Sequence, residues 1–107
     1  MPQITIGIDS EIDGALTQTA VSPPAALWIT PMPAQIDALD SGAGELTMDQ
    51  PSTATFTYTI TGGAEPFQFI VTYDEHGLYG QGAPPQGYQV SVRRGQDEIY
   101  FDVARRE

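Results

Sequence analysis

The chain has 107 residues, with 14 acidic side chains against four arginines, no lysine, one histidine and no cysteine, for a formal net charge of −10 at pH 7. That length suits one compact domain burying roughly two thirds of its unfolded surface. The composition excludes disulfides, thiolate nucleophiles, cysteine metal sites and lysine Schiff bases, and it argues against a nucleic-acid surface built on a dense cationic patch.

The opening MPQITIGIDSEID carries acids where a secretory leader has a basic and then an apolar stretch, so no signal peptide is expected. No apolar run approaches the ~20 residues that span a bilayer, and no membrane partner is expected. Ile4, Ile6 and Ile8 alternate with small or polar residues, the period of a short strand. Leu27-Trp28-Ile29 is an apolar island between Pro23-Pro24 and Pro31, suited to an edge strand or an extended crossing segment. Ala34–Asp40 has the spacing for one or two helical turns, with Gly42 as the stop, and Glu45–Met48 suits a brief strand.

The second half carries nine of the ten aromatic residues and the clearest pattern. In Thr53–Thr61 the order TATFTYTIT sets Ala54, Phe56, Tyr58 and Ile60 on one face and five threonines on the other, as in a half-buried strand. Gly62-Gly63 ends it, Pro66 leads into a second alternating run at Phe67–Tyr73, and Asp74-Glu75-His76-Gly77 reads as a turn. Gly80–Gly87 (GQGAPPQG) reads as a loop. Tyr88–Val103 is expected to form a hairpin around a Gly95-Gln96 turn, pairing Arg94 with Asp97, Arg93 with Glu98, Val92 with Ile99 and Val90 with Phe101.

Two segments resemble a known family. Thr57–Gly77 (TYTITGGAEPFQFIVTYDEHG) is similar to the region of bacterial immunoglobulin-like repeats in which a threonine-rich strand ends in Gly-Gly and a Pro-aromatic strand then crosses the sandwich. Gly87–Val103 (GYQVSVRRGQDEIYFDV) is similar to their final hairpin. A plain hairpin between the strands at 53–61 and 67–73 satisfies the alternation equally well. The expected fold is all-β: an immunoglobulin-like antiparallel β-sandwich over residues 44–107, preceded by an extended N-terminal arm with short strand(s) over residues 1–43, which adds a strand and some packing. The resemblance implies a non-enzymatic accessory protein of a tailed-phage virion, in capsid decoration, head fibre or tail. Such a protein is made in the host cytoplasm and located in the virion. Its partner would be a capsid or tail protein, or another copy of itself. The alternative is a carbohydrate- or cell-surface-binding module. No cofactor is expected.

Chemistry-bearing groups are few. Asp9, Glu11 and Asp13, followed by Gly14, resemble the start of a calcium loop, but Ala20 stands where such a loop needs a bidentate Glu. An exposed acidic turn is therefore the favoured reading and a weak cation site the lesser one. Asp74 and His76 are the one place where carboxylates meet the histidine. None of the serines sits in a nucleophile elbow, so a solvated turn is favoured over a small hydrolase. Tyr79, Tyr88 and Tyr100 are the aromatic candidates for a surface role. The residues expected to face a partner are Ile4, Ile6, Ile8, Leu27, Trp28 and Ile29 of the arm, together with Arg93, Arg94, Arg105 and Arg106; the competing readings are a lid over the core for Trp28 and local pairing with Asp97, Glu98 and Asp102 for the arginines.

Overall fold

The computed structural model describes residues 3–49, 51–63 and 65–106. Nine strands form two packed sheets. They are β1 (Gln3–Ser10), β2 (Leu16–Ser22), β3 (Gln35–Ile36), β4 (Ser41–Thr47), β5 (Ser52–Ile60), β6 (Pro66–Asp74), β7 (Gly77–Ala83), β8 (Tyr88–Arg94) and β9 (Glu98–Arg105). One sheet runs β4-β1-β9-β8 and the other β3-β2-β5-β6-β7. The fold is an all-β sandwich. It is not wholly antiparallel, because β1 lies parallel to β9, from Thr5 opposite Glu98 to Ser10 opposite Val103.

Period-two alternation explains the core. Ile4, Ile6 and Ile8 of β1 and Ile99, Phe101 and Val103 of β9 turn inward and are fully buried. Ala54, Phe56 and Tyr58 of β5 and Phe67, Phe69 and Val71 of β6 meet them from the facing sheet. Phe101 joins the layers, with its ring centroid 4.9 Å from Phe69 and 6.0 Å from Phe56, a geometry that adds about 0.5–1.5 kcal/mol per aromatic pair beyond area burial.

The extended N-terminal arm expected over residues 1–43 is not what the described residues form. Their first strand is an inner strand of the four-stranded sheet, hydrogen-bonded to β4 on one side and β9 on the other. The second enters the five-stranded sheet against β5. Residues 23–34 are the extended part, and they act as a strap. After a single 3-10 turn at Ala25–Leu27, Thr30 exchanges both backbone hydrogen bonds with Glu45 (3.0 and 2.7 Å), partly covering the free edge of β4. The Tyr58 hydroxyl donates to Pro33 O at 2.6 Å, and burial pushes its pKa up to about 12, so it stays protonated as that donor. In place of the helical turns expected at 34–40 there is the two-residue β3 and a turn in which Leu39 adopts a positive φ of 57°.

One strand departs from expectation, and a choice the sequence leaves open is settled beside it. β7 occupies most of the expected loop at 80–87, leaving only residues 84–87 as the connection. Its inward positions include Gly80 and Gly82, where a Cβ would stand 2.7 Å from Ile99 Cδ1 and 2.6 Å from Val90 Cγ1. Missing side chains there let the two sheets close. β5 and β6 form a hairpin within one sheet, Phe56 opposite Phe69, so of the two arrangements open from the sequence the plain hairpin is the one formed.

Candidate interaction surface

The residues singled out in the sequence are mostly committed within the chain. Ile4, Ile6 and Ile8 are core, which removes them as partner contacts. Trp28 is 6% exposed, packs on Gly44 and donates its indole N–H to Pro23 O at 2.9 Å, so it too is internal. Its neighbours Leu27 and Ile29 are 68% and 50% exposed and stand on the strap.

Three of the arginines also have partners within the chain. β8 and β9 pair with Arg93 opposite Tyr100 and Val90 opposite Val103, two residues from the expected register. Gly95 N–H donates to Glu98 O (2.8 Å), which makes Gln96-Asp97 the turn. Arg93 therefore forks onto Asp102 (2.7 and 3.0 Å) instead of Glu98, and it also bridges to Asp9 on β1. Asp102, then Asp9, raises the Arg93 pKa further. The same guanidinium lies 5.4 Å over the Tyr100 ring, and Tyr100 covers Gly7, where any Cβ would be 2.5 Å from the ring. Arg94 donates to Leu78 O on β7 at 3.1 Å, linking the adjoining edges of the two sheets. Arg105 bonds Asp13 at 3.3 Å and lies 5.6 Å over Tyr88. Arg106 is exposed, with its backbone N–H on Gly87 O at 2.8 Å.

The acids of the calcium-loop pattern are held apart by the same contacts. Asp9 and Asp13 point to different arginines, with exposed Glu11 between them, and no cluster of three metal-ligating side chains occurs among the described residues.

Asp74 and His76 form a structural turn. One Asp74 carboxylate oxygen accepts the His76 backbone N–H (2.8 Å) and the other the Tyr79 hydroxyl (2.8 Å), while the imidazole is exposed, 3.6 Å from Glu75. The Tyr79 hydrogen bond, then the His76 amide, lowers the Asp74 pKa below its ordinary 3.8, and Tyr79 is raised above its ordinary 10.0 by the same bond. A lowered carboxyl pKa means the turn is held above the unfolded value and loosens as pH falls through the folded one. An NMR titration is expected to show the Asp74 carboxyl midpoint below the usual value and its return upward in Tyr79→Phe. An unchanged midpoint in that variant would show the bond to be absent in solution.

What the sequence did not single out is a surface. The outward residues of the five-stranded sheet are Thr17 and Thr19 on β2, Thr53, Thr55, Thr57 and Thr59 on β5, Gln68, Ile70 and Thr72 on β6, and Tyr79, Gln81 and Ala83 on β7. None is charged. Asp74, at the end of the β6 row, is turned onto its own hairpin. Ile70, Thr72, Tyr79 and Gln81 surround a shallow depression of about 100 Å³ at the β7 side. Charge is placed elsewhere: Asp9, Glu45, Arg93, Glu98 and Asp102 lie on the outer face of the other sheet, and most remaining acids lie in connections at the two ends. The threonine alternation was legible in β5 alone. The continuous neutral face needed the order of the sheet. No protein-family model and no curated protein matches the chain.

Proposed function

We propose that the protein is a non-enzymatic attachment module that docks onto a protein subunit of a larger assembly through the uncharged outer face of its five-stranded sheet. The observation that carries this reading is the placement of charge. A chain of net charge −10 keeps the outer face of its five-stranded sheet free of ionised side chains as far as Asp74, whose carboxylate closes the β6 row on the Tyr79 hydroxyl. Desolvating an unpaired charge costs several kcal/mol, so this is the face of an acidic molecule that a neighbour can cover with the smallest penalty. Ile70 and Tyr79, 37% and 40% exposed, supply an apolar patch, and the surrounding threonines and glutamines supply donors and acceptors. The acidic remainder keeps unassembled copies apart.

The immunoglobulin-like resemblance of the two hairpin segments suggests which assembly: a tailed-phage virion, with this module as a capsid decoration, head-fibre or tail protein. That step rests on likeness of pattern.

A charge placed on the face tests the reading. Ile70→Glu is expected to fold with a stability change within about 1 kcal/mol. It should co-sediment with particles assembled in the native host at least about tenfold less than the parent protein. Thr47→Glu, on the outer face of the opposite sheet, should co-sediment normally. Equal recovery of both variants would place attachment elsewhere.

A further inference from the structure

One end of the sandwich is open. There Thr61, Gly62, Gly63 and Glu65, between β5 and β6, stand opposite the ends of β8 and β9, and the β1–β2 and β7–β8 connections close the sides of a cleft of about 560 Å³. That volume lies in the range of small-molecule sites, about 300–1,000 Å³. Ile60, Pro85 and Tyr88 give it an apolar wall, and Glu65, Gln86 and Arg105 give it polar groups. Two side chains fix its shape. Tyr88 is locked by Phe67, edge to face at 5.5 Å, and Arg105 lies over the same ring at 5.6 Å. The remaining partner of Arg105 is Asp13, at 3.3 Å, with both side chains more than 60% exposed. An exposed pair of this kind contributes about 0–1 kcal/mol, so the guanidinium is free to exchange it for a ligand.

We infer that this cleft binds a neutral sugar residue, a site independent of the attachment face proposed above. The polar set decides the ligand class. A guanidinium that only donates and a carboxylate that only accepts line one cleft, and Gln86 does both. An anionic ligand would meet Glu65 and the field of a chain of net charge −10, and a cationic one would meet Arg105. A sugar's hydroxyls each donate and accept, so one ring can offer acceptors to Arg105 and donors to Glu65. The aliphatic face of the ring then lies against Ile60, Pro85 and the Tyr88 edge. Gly62, with φ of 84°, shapes the turn at the rim and brings no side chain into the cleft.

The test is a backbone and arginine side-chain NMR titration of the whole chain with four probes: cellotetraose, maltotetraose, tetra-N-acetylchitotetraose and, as the charged comparison, a hyaluronan tetrasaccharide. At least one neutral probe is expected to shift Gly62, Gly63, Gln86 and the Arg105 Nε–H, and the charged probe is expected to shift none of them. Glu65→Gln and Arg105→Gln should each weaken binding by about tenfold or more while melting as the parent does. Gln86→Ala offers a third variant away from any ion pair. The inference is overturned by silence from all three neutral probes, or by shifts confined to the threonine face. It is equally overturned if the charged probe binds as tightly as the neutral ones, or if none of the three variants changes the affinity.

Discussion

A chain beginning at Glu11 is expected not to fold. β1 lies between β4 and β9 and contributes Ile4, Ile6 and Ile8, each fully buried. Burying side chains of this size stabilises by about 1.5–3 kcal/mol apiece, so three of them rival the whole stability of a small domain, about 5–15 kcal/mol. Their removal also strips two ladders of backbone hydrogen bonds, leaving β4 without a strand partner in its sheet and one side of β9 unpaired. The truncated chain should show no cooperative urea transition and no dispersed amide spectrum. A milder variant keeps the chain intact: Ile6→Ala should cost about 2–5 kcal/mol in the same unfolding experiment. A native-like spectrum from the truncated chain would mean that these residues are a dispensable arm after all.

How much of this was legible in the sequence depends on whether the deciding contact was local. Thr53–Thr61 and Phe67–Tyr73 could be read directly, because each strand shows one face to the core and one to solvent. The faces of the β8–β9 hairpin were also legible, but its register was not. A slip of two residues keeps every side chain on its face, so the apolar pattern could not distinguish the two registers. The observed one lets Arg93 reach Asp102 and, on a strand more than 80 positions earlier, Asp9. β7 was hidden because its inward positions at 80 and 82 are glycines, which carry no hydrophobic signal and are placed there for sheet approach. β1 reads as part of an arm for a related reason. Its alternation was plain, but the parallel partner that buries it comes from the far end of the chain.

The candidate sites follow the same logic. In the sequence Arg105 and Tyr88 stand apart, as a surface cation and a surface aromatic. Their union with Glu65, Gln86 and Ile60 in one cleft follows from four separate segments meeting at the end of the sandwich. The neutral face likewise combines four strands, and only its β5 row has a sequence signature.

Gly44→Ala is expected to destabilise the protein by about 3 kcal/mol and to release the strap. Gly44 points inward from β4, and a Cβ there would stand 2.8 Å from Met32 N, 2.9 Å from Thr30 O and 2.9 Å from the Trp28 ring. Two of those atoms are backbone, so no rotamer change relieves the clash. The strap must move. Its hold consists of the paired Thr30–Glu45 hydrogen bonds, the Trp28 indole on Pro23 O and the Tyr58 hydroxyl on Pro33 O, and displacement strains all of them while wetting a tryptophan that is now 6% exposed. Trp28 is the chain's only tryptophan, so its fluorescence reports the event directly. The emission should shift to the red in the folded variant, and the melting midpoint should fall by roughly 10–25 °C. Lifting the strap also uncovers the β4 edge, so the variant should associate in a concentration-dependent way where the parent does not. Gly95→Ala is the matched control. Its Cβ would meet Glu98 Cγ at 2.7 Å, on an exposed side chain that can swing away, and the cost should stay below about 1 kcal/mol. Equal melting and unshifted emission for Gly44→Ala would mean that the strap does not press on β4 in solution.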